Sequence, residues 1–200
     1  MKKNKSIHRL LTIAILFSFM GLNLCMARSE YWHQRVSLFD KLPVVRGDIV
    51  FLGNSITDGG EFSELFGKEN IKNRGINSDV ISGVKERLRQ VTDGNPAKIF
   101  LLIGINDISH NLLPEALAAR YEELVKEIRN QSPSTTLYIQ SIMPINNDFA
   151  RYKNLKGKEK VIVSVNKYLK EIAERNGATY IDLWPALSDD SGKLRKEFTN

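Results

Sequence analysis

The chain has 200 residues, 42% hydrophobic and 26% charged, the composition of an ordinary soluble globular protein with room for one substantial core. Its formal net charge of +6 looks basic, but Lys2, Lys3, Lys5 and Arg9 all precede the first acid, Glu30. Beyond them 25 basic residues face 23 acidic ones, so charge gives no case for nucleic-acid binding.

The basic start runs into an apolar stretch, Leu10 to Met26, followed by the small residue Ala27. This pattern predicts a signal peptide over residues 1–27, cleaved near Ala27, and export to a periplasmic or extracellular space. Thr12, Ser18 and Asn23 interrupt the apolar run, which argues against a permanent span, so membrane contact is expected only through this leader. Cys25 is the single cysteine and lies within it, leaving the exported part without a disulfide or a thiol nucleophile.

From residue 28 the chain reads as one domain. Ser29 to Lys41 carries Trp32, Val36 and Phe39 at helical spacing, and Asp48 to Leu52 reads as a strand buried on both faces. The strand leaves through Gly53-Asn54-Ser55-Ile56-Thr57, a glycine turn that presents a serine. Hydrolases hold nucleophiles in such turns, although Asn, Ser, Thr and Asp after a strand are also helix caps. A short helix is expected near Glu61 to Phe66, then a weak strand, Ile71 to Arg74, ending at Gly75. Ser78 to Val91 reads as one helix capped by Ser78 or Asp79, and the segment from Asp93 to Pro96 breaks it.

Lys98 to Ile103 is the next strand, closed by Gly104-Ile105-Asn106-Asp107. Pro114 to Gln131 has Pro in its first turn and Leu117, Tyr121, Leu124, Val125 and Ile128 on one face, which predicts a helix. A strand over Thr136 to Met143 stops at Pro144, and a polar stretch runs from Ile145 to about Lys160. Val161, Val165, Leu169 and Ile172 then mark a helix ending at Asn176 and Gly177, and Thr179 to Leu183 is the last strand. From Trp184 the remainder reads as a loop.

Strands alternating with helices predict a parallel sheet with helices on both faces, with all C-terminal strand ends along one edge. Ser55, Gly75 and Asn106 each follow a strand and should share that edge, where such sheets bind ligands. Ester cleavage by a serine needs fixed N–H donors for the oxygen that becomes negative, and losing one costs about 3–4 kcal/mol. The Ser55 N–H, the Gly75 N–H and the Asn106 side-chain amide would supply three, with Asn54 and Asp107 in support. Singly, Gly75 reads as a turn and Asn106 and Asp107 as caps; together they favour catalysis.

These blocks resemble the SGNH hydrolase family, the GDSL-type esterases and lipases, and most closely its carbohydrate or sialate O-acetylesterase and platelet-activating-factor acetylhydrolase-like branch. Gly53 to Thr57 stands as the nucleophile block, with Asn54 where Asp is commoner. Asn73-Arg74-Gly75-Ile76 stands as the second block and Gly104 to Asp107 as the third. The resemblance implies a flavodoxin-like α/β/α fold with a five-stranded parallel sheet, hydrolysis through an acyl-serine at Ser55, and no cofactor or metal. Two departures qualify it. Asn77 and Ser78 stand where relatives often have two glycines, and the sequence contains no Asp-x-x-His block, so the catalytic acid and base are not present. The expectation is a C-terminally incomplete esterase domain over residues 28–200. Without a base, a serine hydroxyl is a poor nucleophile at neutral pH. His110, near the expected edge, is a weak substitute.

The expected substrate is an acetyl or other short acyl ester of a small molecule or glycan. A lysophospholipid or short-chain lipid ester is the enzymatic alternative, and a non-catalytic carbohydrate- or ester-binding protein is the alternative of another class. No Cys or His cluster has ligand spacing for a metal, and the glycines after Asp58 lack the lysine of a phosphate loop.

Overall fold

The computed structural model describes residues 28–149 and 152–199; the expected leader, residues 1–27, lies outside the described residues. Strands β1 (Ile49–Gly53), β2 (Ile71–Gly75), β3 (Lys98–Leu102), β4 (Thr136–Gln140) and β5 (Thr179–Ile181) form one parallel sheet in the order β2-β1-β3-β4-β5. The chain leaves β1 for β2 on one side and then crosses to β3 on the other. The carboxyl ends of β1 and β3 therefore flank the point where strand order reverses, the usual ligand crevice of such sheets.

Val50 and Leu52 of β1 lie in register with Ile99 and Leu101 of β3, which pair with Leu137 and Ile139 of β4. All six share one face and are fully buried, contributing about 1.5–3 kcal/mol each as their side chains leave water. Against them pack the apolar stripes of α7 (Pro114–Gln131) and α8 (Glu159–Arg175), with Tyr121 and Leu169 wholly inside. The opposite face carries the alternate residues. Phe51, Phe100 and Tyr138 stack across three strands at centroid distances of 4.9 and 4.5 Å, and Phe62 from α3 (Phe62–Phe66) stacks on Phe51 at 3.9 Å. Helix α1 (Glu30–Lys41) follows its expected span, and Trp32, Phe39 and Ile76 form a second, smaller apolar cluster.

Several boundaries differ from the sequence-based expectation. The helix expected over 78–91 is two short ones, α4 (Ile81–Glu86) and α5 (Arg89–Thr92). Arg87 turns inward at the break to meet Asp79 and the Gly53 carbonyl. Asp79 is thus not a simple cap; the Ile81 N–H is accepted instead by Asp107 from a different loop, at 3.2 Å. Strand β4 ends at Gln140 rather than Met143, because the Asn166 amide takes both the N–H and the C=O of Ile142 at 2.8 Å each, as a neighbouring strand would. Residues expected as loop form α2 (Ser55–Asp58), α6 (Ile105–Ser109) and α9 (Trp184–Leu187). The last helix has Pro185 in its first turn.

Candidate active site

Ser55 sits where β1 gives way to α2 and is exposed. The preceding Asn54 is buried and caps that helix, its Oδ1 accepting the Ile56 N–H at 3.1 Å. As the first residue of α2, Ser55 has a backbone N–H without an intrahelical acceptor. Gly53 must be glycine: an added Cβ would lie 2.3 Å from the Leu102 carbonyl oxygen and from Thr57 Oγ1. Close packing against β3 therefore sets the turn that presents the serine.

Asn73 holds the far end of this turn. Its Nδ2 donates to the carbonyls of Thr57 at 2.7 Å and Gly60 at 2.9 Å, and its Oδ1 accepts the Gly75 N–H at 2.8 Å. The expectation for Gly75 is corrected by that last bond. Its N–H already has an acceptor, Gly75 is not among the cleft-lining residues, and a Cβ there would meet Asp58 N at 2.1 Å. Gly75 is a close-approach residue that lets β2 pass under the nucleophile helix, and its N–H is held by Asn73 rather than aimed at the cleft.

The turn from Asn77 to Asp79 connects the nucleophile helix to Asn106. The Asn77 N–H donates to Asp58 Oδ2 at 3.1 Å, and the Asp79 carbonyl accepts Asn106 Nδ2 at 2.8 Å. Between them Ser78 takes φ +62°, a left-handed conformation that favours glycine. The sequence signal was present, since Asn77 and Ser78 stand where relatives often carry two glycines.

Asn106 lies in the first turn of α6 after Gly104, whose φ of +122° only glycine adopts readily. The amide spends one hydrogen on Asp79 and keeps the other available. Asp107 points inward, where burial pushes its carboxyl up to about 6. It is a helix-bracing group and has no place in the cleft lining.

Ser55, Asn54 and Asn106 open onto one cleft of about 530 Å³. Its other walls come from Leu102 to Ile105, from Ile142 to Asn147, from the segment carrying Phe149, Tyr152 and Leu155, and from Leu194 and Phe198. The polar stretch after Pro144 is thus a cleft wall, with Phe149, Tyr152, Lys153 and Lys156 lining it. Neither described histidine lines the cleft: His33 and His110 are both exposed, and His110 ends α6.

Residues 51–200 match the GDSL-like Lipase/Acylhydrolase family. No curated protein matches the chain. Among solved structures, it is 25% identical to a protein assigned as a platelet activating factor from Streptococcus pneumonia. That alignment has a TM-score of 0.74 and covers 96% of this chain and 89% of the other. A GDSL-like lipase from Bacteroides thetaiotaomicron is 20% identical with a TM-score of 0.71, covering 84% of this chain and 86% of that one. A variant of an acetylxylan esterase from Geobacillus stearothermophilus is 19% identical with a TM-score of 0.56, covering 70% and 78%. The last two likenesses carry the fold.

Proposed function

The chain belongs to the GDSL-like lipase/acylhydrolase family, and from that footing we propose that it cleaves acyl esters through an acyl-serine formed at Ser55. The observation that carries this is the opening of Ser55 and Asn106, at the ends of adjacent strands, onto one cleft at the switch point. Ser55 Oγ attacks the ester carbon, and the carbonyl electron pair moves onto oxygen. The Ser55 N–H and Asn106 Nδ2 receive that charge. Collapse expels the alcohol oxygen, which takes up the proton Ser55 gave to a base, and water, losing its proton to that base, then releases the acyl group as the acid. The Ser55 proton needs an acceptor, and no histidine among the described residues lines the cleft.

For the substrate, an acetyl or other short acyl ester on an exported carbohydrate is the first reading. It is supported by the wording of the three blocks and by the basic, apolar start of the chain. A lysophospholipid or similar lipid ester is the second reading, favoured by the cleft. Ile105, Ile142, Ile145 and Phe149 make its walls largely apolar, and its volume suits a ligand far larger than an acetyl group. Export predicts that the protein recovered outside the cytoplasm begins near Arg28, which N-terminal sequencing would check.

The decisive assay compares nitrophenyl acetate and octanoate, with imidazole supplied as an external base. Ester hydrolysis predicts an imidazole-dependent rate that Ser55→Ala reduces by about a thousandfold or more, down to the imidazole background. Preference for acetate or octanoate separates the two substrate readings. Equal rates for both proteins, with the esters still bound, would overturn hydrolysis in favour of a binding protein.

A further inference from the structure

We propose that the buried Asp79–Arg87 pair is the positioning unit of this site, setting the Asn106 amide relative to the end of β1 from which Ser55 projects. The inference rests on the reading of Asn106 as an oxyanion donor. Asp79 Oδ1 accepts Trp32 Nε1 at 3.2 Å and the Val80 N–H at 3.0 Å, while Oδ2 accepts Arg87 Nε at 2.9 Å. Arg87 Nη2 donates to the Gly53 carbonyl at 3.2 Å, two residues before the serine. The Asp79 carbonyl accepts Asn106 Nδ2 at 2.8 Å. One ion pair thereby joins the ends of β1 and β3 through the turn that follows β2.

The energetics point the same way. The two side chains are 0% and 1% exposed, and a pair so placed loses in desolvation much of what attraction returns. Arg87 Nη1 is buried without a hydrogen-bond acceptor, which adds to the cost. Well-packed apolar residues of similar volume often replace such a pair with little or no loss of stability. They could not bond the Gly53 carbonyl or fix the Asp79 backbone. Fixing that carbonyl matters because an amide that spends one hydrogen on a rigid acceptor has its plane set and its second hydrogen aimed. Positioning of this kind is where preorganised donors gain their effect. Asp79 and Arg87 are positioning residues, since neither lines the cleft.

The test measures solvent exchange of the Asn106 side-chain amide by nuclear magnetic resonance in the full chain. The signal is identified by its loss in Asn106→Ala, and the backbone amides of Val50 and Ile99 report global opening. Positioning predicts that Arg87→Met and Asp79→Asn speed Asn106 exchange by about tenfold beyond any change at Val50 and Ile99. Arg87→Lys, which keeps the charge and loses the fork, should fall between these variants and the parent. Trp32→Phe removes one donor while keeping the ring, and should speed exchange by about two- to fivefold. If Asn106 exchange changes only in step with Val50 and Ile99, the pair is merely structural and the proposal is overturned. Should Arg87→Met fail to fold, Trp32→Phe decides by the same criterion. The readout does not depend on turnover, so a failure of the esterase reading would be seen separately, in the Ser55→Ala comparison.

Discussion

The wall of the cleft that carries Ser55 is held throughout by side chains bonded to backbone, whereas the facing wall has such bonds at Ile142, from Asn166, and at Asn146, and otherwise rests on apolar contact and surface pairs. On the first, Asn73, Asp58 and Arg87 each bind backbone groups of a different element, Asp79 holds Arg87 in place, and glycines at 53 and 75 let those elements touch. On the second, the Leu194 N–H and C=O bond Ile145 and the Asn146 side chain, and Lys193 pairs with Asp148 at the surface. Phe149 and Tyr152 stand 40% and 62% exposed beside it. On the proposed esterase reading, the reacting groups belong to the more densely bonded wall and the substrate-facing groups to the less densely bonded one, an arrangement that suits fixed chemistry with a varying ligand.

The comparison breaks most visibly at Asn106. Asn106→Ala should lower the Ser55-dependent rate by about 100- to 1,000-fold with little change in KM, as expected when a donor to the developing charge is removed. Steady-state kinetics would check this, and a loss confined to KM would move Asn106 to the substrate-binding wall.

Gly75→Ala should destabilise the fold by about 3 kcal/mol, because the new Cβ would fall 2.1 Å from Asp58 N and must displace backbone. A denaturant titration measures this. A variant of parent stability but low activity would return Gly75 to the oxyanion role.

Asp107 gives the rigid wall a pH signature. Burial pushes its carboxyl up to about 6, against an ordinary value of 3.8, so the folded chain holds that proton more tightly than the unfolded one. The corresponding stability is fully present below about pH 4 and lost as pH rises through about 6, a change of about 3 kcal/mol. Asp107→Asn should remove this dependence. Urea midpoints of the two proteins from pH 4 to pH 7 should therefore diverge, the parent losing ground as pH rises. Parallel profiles would mean that Asp107 titrates as an ordinary carboxylate.

The smallest effect is expected on the adaptable wall. Phe149→Ala should change stability by about 0.5 kcal/mol or less, since the ring is 40% exposed. It should raise KM for octanoate more than for acetate, by about three- to tenfold, if the ring contacts the acyl chain. Equal effects on both esters would place the chain elsewhere in the cleft.

Much of this molecule was legible in the chain itself. Helical spacing located α1, α7 and α8, apolar runs located β1, β3 and β4, and the alternation of strands with helices set a parallel sheet, because amphipathic periodicity is a local property that burial then exploits. The same alternation placed Ser55 and Asn106 on one edge, since parallel strands bring their carboxyl ends together whatever fills the crossovers. Tertiary structure decided what depends on a partner distant in sequence. The Gly75 N–H, expected to face the cleft, is instead accepted by the Asn73 side chain. The single helix expected over 78–91 broke because Arg87 is drawn to Asp79 and Gly53. Asp107 became the acceptor for α4, and the polar stretch after Pro144 became a cleft wall. Sequence spacing records which face a residue is on. Which of two acceptors takes an N–H is settled only when distant segments meet.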